Sequence, residues 1–200
     1  MRRALVLALA AALLLPAAAC ADGDPASDVL YTGFVFFPFD VKFDPSLQSQ
    51  LTELTASAKE AGVPIRVAII ANRYDLGSVG SLWQLPQQYA KFLAAELAFL
   101  YKGRLLIVMP NGFGFWNAGK PIAKEVALLR TIPVPPGNDN LVRSAIAAVE
   151  KLTAQAGHPV SAAKPRGSSR ATDRIVIVAA AIAVLALALL VRFRRRLLRR

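Results

Sequence analysis

Residues 63–70 spell VPIRVAII and residues 104–109 spell RLLIVM. Both runs are nearly unbroken apolar sequence, rich in β-branched side chains and too short for a core helix. Successive side chains of a strand point to opposite faces, so a strand that shows no polar alternation buries both. Two such strands predict a sheet covered by helices on either side.

The flanking sequence supplies those helices. Asp44-Pro45 reads as a cap followed by proline at the first helical position, and Leu47, Leu51, Leu54 and Ala58 follow at helical spacing up to Gly62. Pro86 opens a second helix toward Tyr101, with Tyr89, Phe92, Leu93, Leu97 and Leu100 on its apolar face. Asn111-Gly112 turns the chain, so that Phe113 to Trp116 runs back as a short strand. Pro121 begins a third helix, and Asn138 or Asp139 caps a fourth that carries Val142, Ile146, Val149 and Leu152. Upstream, GFVFFPF at 33–39 forms an apolar strand that Pro38 confines to an edge. The order is β-α-β-α-β-β-α-α. It predicts an α/β fold, a three-layer α/β/α domain with a mostly parallel central sheet and right-handed crossovers.

Both ends of the chain predict export and anchoring. Residues 1–21 have a basic start, a short apolar stretch and small residues before a cleavage point, the pattern of a signal peptide. Cys20 is the single cysteine, either removed with that peptide or lipidated as the first mature residue. Ile175 to Val191 carries no charge, spans roughly 25 Å as a helix, and is followed by Arg192, Arg194, Arg195 and Arg196. Arginine collects on the cytoplasmic side of membranes. This predicts one transmembrane helix at 174–192, a cytoplasmic tail at 193–200, and a domain at 22–157 held outside the cell membrane. Residues 158–173, rich in Pro, Ser and Ala, predict a flexible linker, with His158 solvated at its start.

Charge patterning argues against nucleic acid as a partner. The chain carries a net +11 and a pI near 10.4. The excess is confined to the two termini and the linker, whereas acidic and basic residues balance from Asp22 to Gly157. The basic flanks suit anionic lipid headgroups, at about 1 kcal/mol per residue near the surface. The lipid bilayer is therefore the expected partner of the C-terminal segment.

Ligands of an open α/β sheet gather beyond the carboxyl ends of its strands. Two segments fall there. Asn72, Arg73 and Asp75 follow VPIRVAII in a long loop that also holds Trp83, while Asn111, Gly112, Phe113, Gly114 and Trp116 follow RLLIVM. Arg73 has the chemistry to hold an anion. Asp75 could hold a divalent cation or take a proton, unless it pairs with Arg73 or caps a turn ahead of Gly77. Gly112 and Gly114 suit a tight turn or a close backbone approach to a ligand. Trp83, Phe113, Phe115 and Trp116 belong to the core or, if exposed together, suit a protein partner or the membrane interface. Asp22, Asp24 and Asp28 are spaced loosely like metal ligands and are expected to form a solvated leader. The sequence lacks G-x-S-x-G, G-x-x-x-x-G-K and H-E-x-x-H, and its lone histidine argues against a Ser-His-Asp triad.

The layout over about residues 40–155 resembles the TPM domain family. The likeness is carried by the helix before VPIRVAII, by PQQYAKFLAAELAFLYKG and by RLLIVMP. Segments NRYDLGSV and MPNGFGFW also resemble a set of actinobacterial membrane proteins. The TPM resemblance implies an α/β domain and, in some members, divalent-cation binding or acid phosphatase activity. Where the family carries an acidic residue ahead of the third strand, this chain has Tyr101-Lys102-Gly103-Arg104. The expectation is thus a non-enzymatic, membrane-anchored accessory domain without a cofactor, acting on an envelope or membrane-protein partner. Two alternatives accompany it: a divalent-cation-dependent phosphatase using Asp75, and a structural envelope protein with no discrete site.

Overall fold

The computed structural model describes residues 23–163. The predicted signal peptide, Cys20, the transmembrane helix, its arginine tail and the linker beyond 163 lie outside the described residues. Among the described residues no helix is long and apolar enough to cross a membrane.

Ten elements follow one another: α1 (Pro25–Leu30), β1 (Val35–Phe36), α2 (Pro45–Glu60), β2 (Ile65–Ile69), a 3-10 segment (Arg73–Leu82), α3 (Pro86–Glu96), β3 (Arg104–Met109), β4 (Gly112–Asn117), α4 (Ala123–Leu129) and α5 (Asn138–Gln155). The sheet order is β1-β2-β3-β4. The first three strands are parallel, with Val35 opposite Val67 and Val67 opposite Leu106. The hairpin strand β4 runs antiparallel to β3, with Leu106 opposite Phe115.

The unalternating strands bury both faces, as their composition requires. Ile65, Val67, Ile69, Leu106, Val108 and Phe115 pack with Leu47, Leu51 and Leu54 of α2 and with Val142, Ala145 and Val149 of α5. Ala68, Leu105, Ile107 and Met109 face the other way, onto Ala26 and Leu30 of α1 and Tyr89, Ala90 and Leu93 of α3. The two cores are separate and the sheet divides them.

This arrangement corrects the expected handedness. Both crossovers, β1-α2-β2 and β2-α3-β3, step in the same direction across parallel strands. Their helices lie on opposite faces, so one crossover is left-handed. The right-handed rule holds where a twisted strand feeds its helix directly. Irregular chain precedes both helices, residues 37–44 before α2 and the 3-10 segment before α3, and relaxes that condition in either crossover.

Other local expectations shift by smaller amounts. The Asp44 carboxylate does cap α2, accepting from the Ser46 N–H at 2.8 Å, and Gly62 ends the turn at φ +81°. Asp139 does not cap α5, whose N-cap is Gly137. Its carboxylate instead accepts from the Asp44 N–H at 2.8 Å and ties the starts of α2 and α5 together. Helix α3 ends at Glu96, short of Tyr101, and leaves Phe99 98% exposed. Strand β1 keeps two residues of GFVFFPF.

The acidic leader and the linker are also corrected. Asp24 is buried, and its carboxylate accepts from the Tyr89 hydroxyl at 2.6 Å beneath α1. Periodicity could not reveal this, because α1 is six residues long. At the other end, residues 158–163 lie against α5 and α2. Val160 and Ala162 pack on the first core, the Ala162 N–H donates to Glu150 at 2.8 Å, and Gln50 donates to the Ala163 carbonyl at 2.6 Å. The first part of the expected linker thus belongs to the domain.

Burial of Asp24 generates a pH prediction. Desolvation raises its carboxyl from 3.8 to about 6, against the lowering effect of the Tyr89 hydrogen bond. The second oxygen, Oδ2, has no partner. A carboxyl raised on folding favours the protonated native state, so its contribution is fullest below about pH 4 and is lost as pH rises through about 6. Thermal unfolding across that range should show declining stability. Asp24→Asn should remove the decline, unfolding at a higher temperature than the parent at about pH 8 and at nearly the same temperature at about pH 4.

Candidate functional site

The two segments expected to form one site diverge. The loop after β2 is a folded 3-10 segment capped at its start. Asn72 Oδ1 accepts from the Tyr74 N–H at 2.8 Å. Asp75 accepts from the N–H groups of Ala71 and Asn72 at 2.7 and 2.8 Å, and from Asn72 Nδ2 at 2.9 Å. Both carboxylate oxygens are occupied in holding the chain as it leaves β2. Asp75 is buried, and desolvation outweighs these hydrogen bonds to raise its carboxyl above the ordinary value. Of the alternatives open for Asp75, turn capping is the one observed. Among the described residues no three His, Cys, Asp or Glu side chains group to hold a metal.

Arg73 lies over Gly80 in a shallow cavity of about 640 Å³ shared with Tyr74, Ser78 and Ser81. Tyr74 is 90% exposed. Trp83 points away from this cavity and packs on the second core. Gly77, at φ +51°, has no room for a side chain, since a Cβ would meet the Gly23 carbonyl at 2.3 Å. The segment therefore packs closely against the residues that lead into α1.

A larger groove of about 960 Å³ follows the outer edge of β4, between α3 and α4. Its geometry starts from Gly114. A Cβ there would meet the Pro86 carbonyl at 1.9 Å, so glycine alone lets the first turn of α3 rest on the strand. Gly114 serves this helix contact, and the turn belongs to Pro110 and Asn111, because Gly112 already pairs with Met109. Resting on β4, α3 brings Gln87 to the strand edge. Gln87 Nε2 donates to the Phe115 carbonyl at 2.9 Å, and the Phe115 N–H donates to Gln87 Oε1 at 3.1 Å. Asn111 Nδ2 donates to the Gln84 carbonyl at 2.6 Å and fixes the hairpin against the entry to α3.

Pro86 and Trp116 wall the groove on one side, and Phe113, Ile122, Val126 and Leu129 on the other. Lys91, Lys120 and Arg130 rim it, all exposed. Among the described residues that line it there is no carboxylate, imidazole, thiol or hydroxyl. The domain's balanced charge is thus locally unbalanced here, with three cations and no acid.

Of the residues expected at the site, Asn111, Phe113 and Trp116 line this groove, whereas Asn72, Arg73, Asp75 and Trp83 do not. Gln87, Lys91, Lys120 and Arg130 were missed. Their signal is spatial: they come from a helix start, a helix turn, a hairpin end and a helix end that are distant in sequence. No family model matches the chain, and no curated protein or solved structure matches it either.

Removing the Asp75 carboxylate leaves partly buried N–H groups without an acceptor. Asp75→Ala should destabilise the domain by about 2 kcal/mol in denaturant titration. Added Mg²⁺ or Mn²⁺ should leave the parent's unfolding midpoint unchanged; a midpoint raised by metal and lost in Asp75→Ala would instead make Asp75 a ligand. Gly114→Ala should cost more, about 3 kcal/mol, because backbone rather than a flexible side chain opposes the new methyl group.

Proposed function

We propose that this chain is a membrane-anchored, extracytoplasmic binding domain, TPM-like in layout, that holds a protein partner in the groove beside β4. The observation that carries the reading is the lining of that groove: apolar walls, two side-chain amides and three cations, with no carboxylate, imidazole, thiol or hydroxyl among the described residues that line it. Such a surface binds without transforming what it binds. The sequence supports the setting: an apolar Ile175–Val191 segment followed by arginines is the pattern of an anchor with its arginines on the cytoplasmic side, and a domain on the outer side would meet envelope or membrane proteins.

The phosphatase alternative depends on a carboxylate free to bind a cation. Asp75 is engaged by three hydrogen bonds and lies outside the groove, so the binding reading is preferred. Arg73 and Trp83 leave the proposed surface, and Lys91, Lys120 and Arg130 join it.

Site-specific photo-crosslinking in native membranes tests this directly. A photoreactive residue at position 122 should trap a protein partner, and the same residue at position 74 should not. Lys120→Glu with Arg130→Glu should lower the yield at 122 about tenfold or more while thermal unfolding stays the same. An adduct formed only from position 74, or a yield at 122 indifferent to charge reversal, would contradict the reading.

A further inference from the structure

Strand β4 is the longer of the two edges of the sheet. In an antiparallel pair, alternate residues turn their N–H and C=O groups toward the partner strand and the others turn theirs outward. Phe115 bonds to Gln87 and is therefore an outward residue. By the same alternation Phe113 and Asn117 also present their N–H and C=O groups at the edge. The Asn117 carbonyl is taken by the Lys120 N–H at 2.8 Å. The Phe113 groups and the Asn117 N–H face the groove. An edge of this kind templates a further strand, and native proteins commonly blunt it.

Gln87 does the blunting in a specific way. Its amide gives one hydrogen bond to, and takes one from, the same backbone residue. Those are the two bonds that one residue of a neighbouring strand would make. Gln87 occupies the place of a strand residue and, being a side chain, is able to swing away.

We propose that the groove binds an extended, acidic segment of a protein partner by strand addition to β4, with the segment displacing the Gln87 side chain from Phe115. The inference rests on the binding function proposed above and specifies its occupant and mode. Three observations select this occupant. The outward N–H and C=O groups at strand spacing match a polypeptide main chain. Apolar walls on both sides of the edge, Trp116 on one and Phe113 and Ile122 on the other, suit the alternating side chains of a strand. The rim of Lys91, Lys120 and Arg130 selects acidic sequence. That rim disfavours a second copy of this edge. It also disfavours the chain's own residues 164–174, which carry four basic residues against one Asp173.

The test uses the full chain in lipid nanodiscs and a capped synthetic peptide in which valine alternates with aspartate. Its counterpart alternates valine with lysine. Two further versions of the aspartate peptide carry N-methyl groups on every valine or on every aspartate. Alternate N–H groups of a strand point to opposite edges, so one methylated peptide should lose binding and the other should keep it. The lysine peptide should not bind. Gln87→Ala should bind the unmethylated aspartate peptide about fivefold more tightly, since the competing amide is gone. Strand addition is overturned if the aspartate peptide fails to bind, if both methylated forms bind like the parent, or if Gln87→Ala leaves its affinity unchanged. Photo-crosslinking at position 122 separates the two levels. A partner trapped there while the peptide criteria fail removes strand addition alone, and no adduct at 122 removes the binding function itself.

Discussion

Ile65, Val67 and Ile69 of β2 point into one core, while Ala68 of the same strand points into the other, and β3 is divided in the same way. This two-sided burial constrains everything else. Each fully buried Ile, Leu or Val stabilises by about 2 kcal/mol, so both faces must be covered, and α2 with α5 and α1 with α3 cover them. A central pair buried on both faces leaves β1 and β4 as edges. Strand β1 is cut to two residues near Pro38. Strand β4 keeps six, and the groove exists because α3 and α4 stand on either side of it without closing over it.

The relative sizes of these effects separate fold from function. The hydrogen bonds that Gln87 makes to β4 contribute about 1 kcal/mol each at most, far less than either core. They can be exchanged for those of an incoming strand without threatening the domain. Gly114 is the opposite case: the Pro86 contact it permits positions all of α3, so the shape of the groove depends on it. The polar groups near the sequence motif Asn72-Arg73-Tyr74-Asp75 are likewise structural, because the Asn72 and Asp75 side chains satisfy backbone donors at the exit of β2.

The fold was legible where chemistry and sequence spacing coincide. VPIRVAII and RLLIVM declare two-sided burial, Asp44-Pro45 declares a helix start, and the β3-β4 hairpin follows from its turn. Asp24 was not legible, since one acidic residue among several becomes special only by meeting Tyr89, which is 65 positions away in sequence. Residues 158–163 look like linker because no apolar period marks them, yet they dock through Val160 and Glu150. The opposite hands of the crossovers depend on which face each helix takes, and an amphipathic pattern does not encode that. For the site, proximity to strand ends selected Asn111, Phe113 and Trp116, which line the groove, and also Asp75, which caps the 3-10 segment outside it. Gln87 was invisible because a polar residue in the first turn of a helix ordinarily faces solvent; its reach to Phe115 depends on the absence of a Cβ at Gly114.

Hydrogen exchange of the full chain tests the central claim most directly, comparing native membranes with the purified chain reconstituted in lipid alone. The account predicts that amides of Gly112–Asn117, those of Phe113 and Asn117 above all, exchange more slowly in native membranes, while those of Arg73–Leu82 exchange alike in both. Slowing confined to Arg73–Leu82, with β4 unchanged, would contradict it.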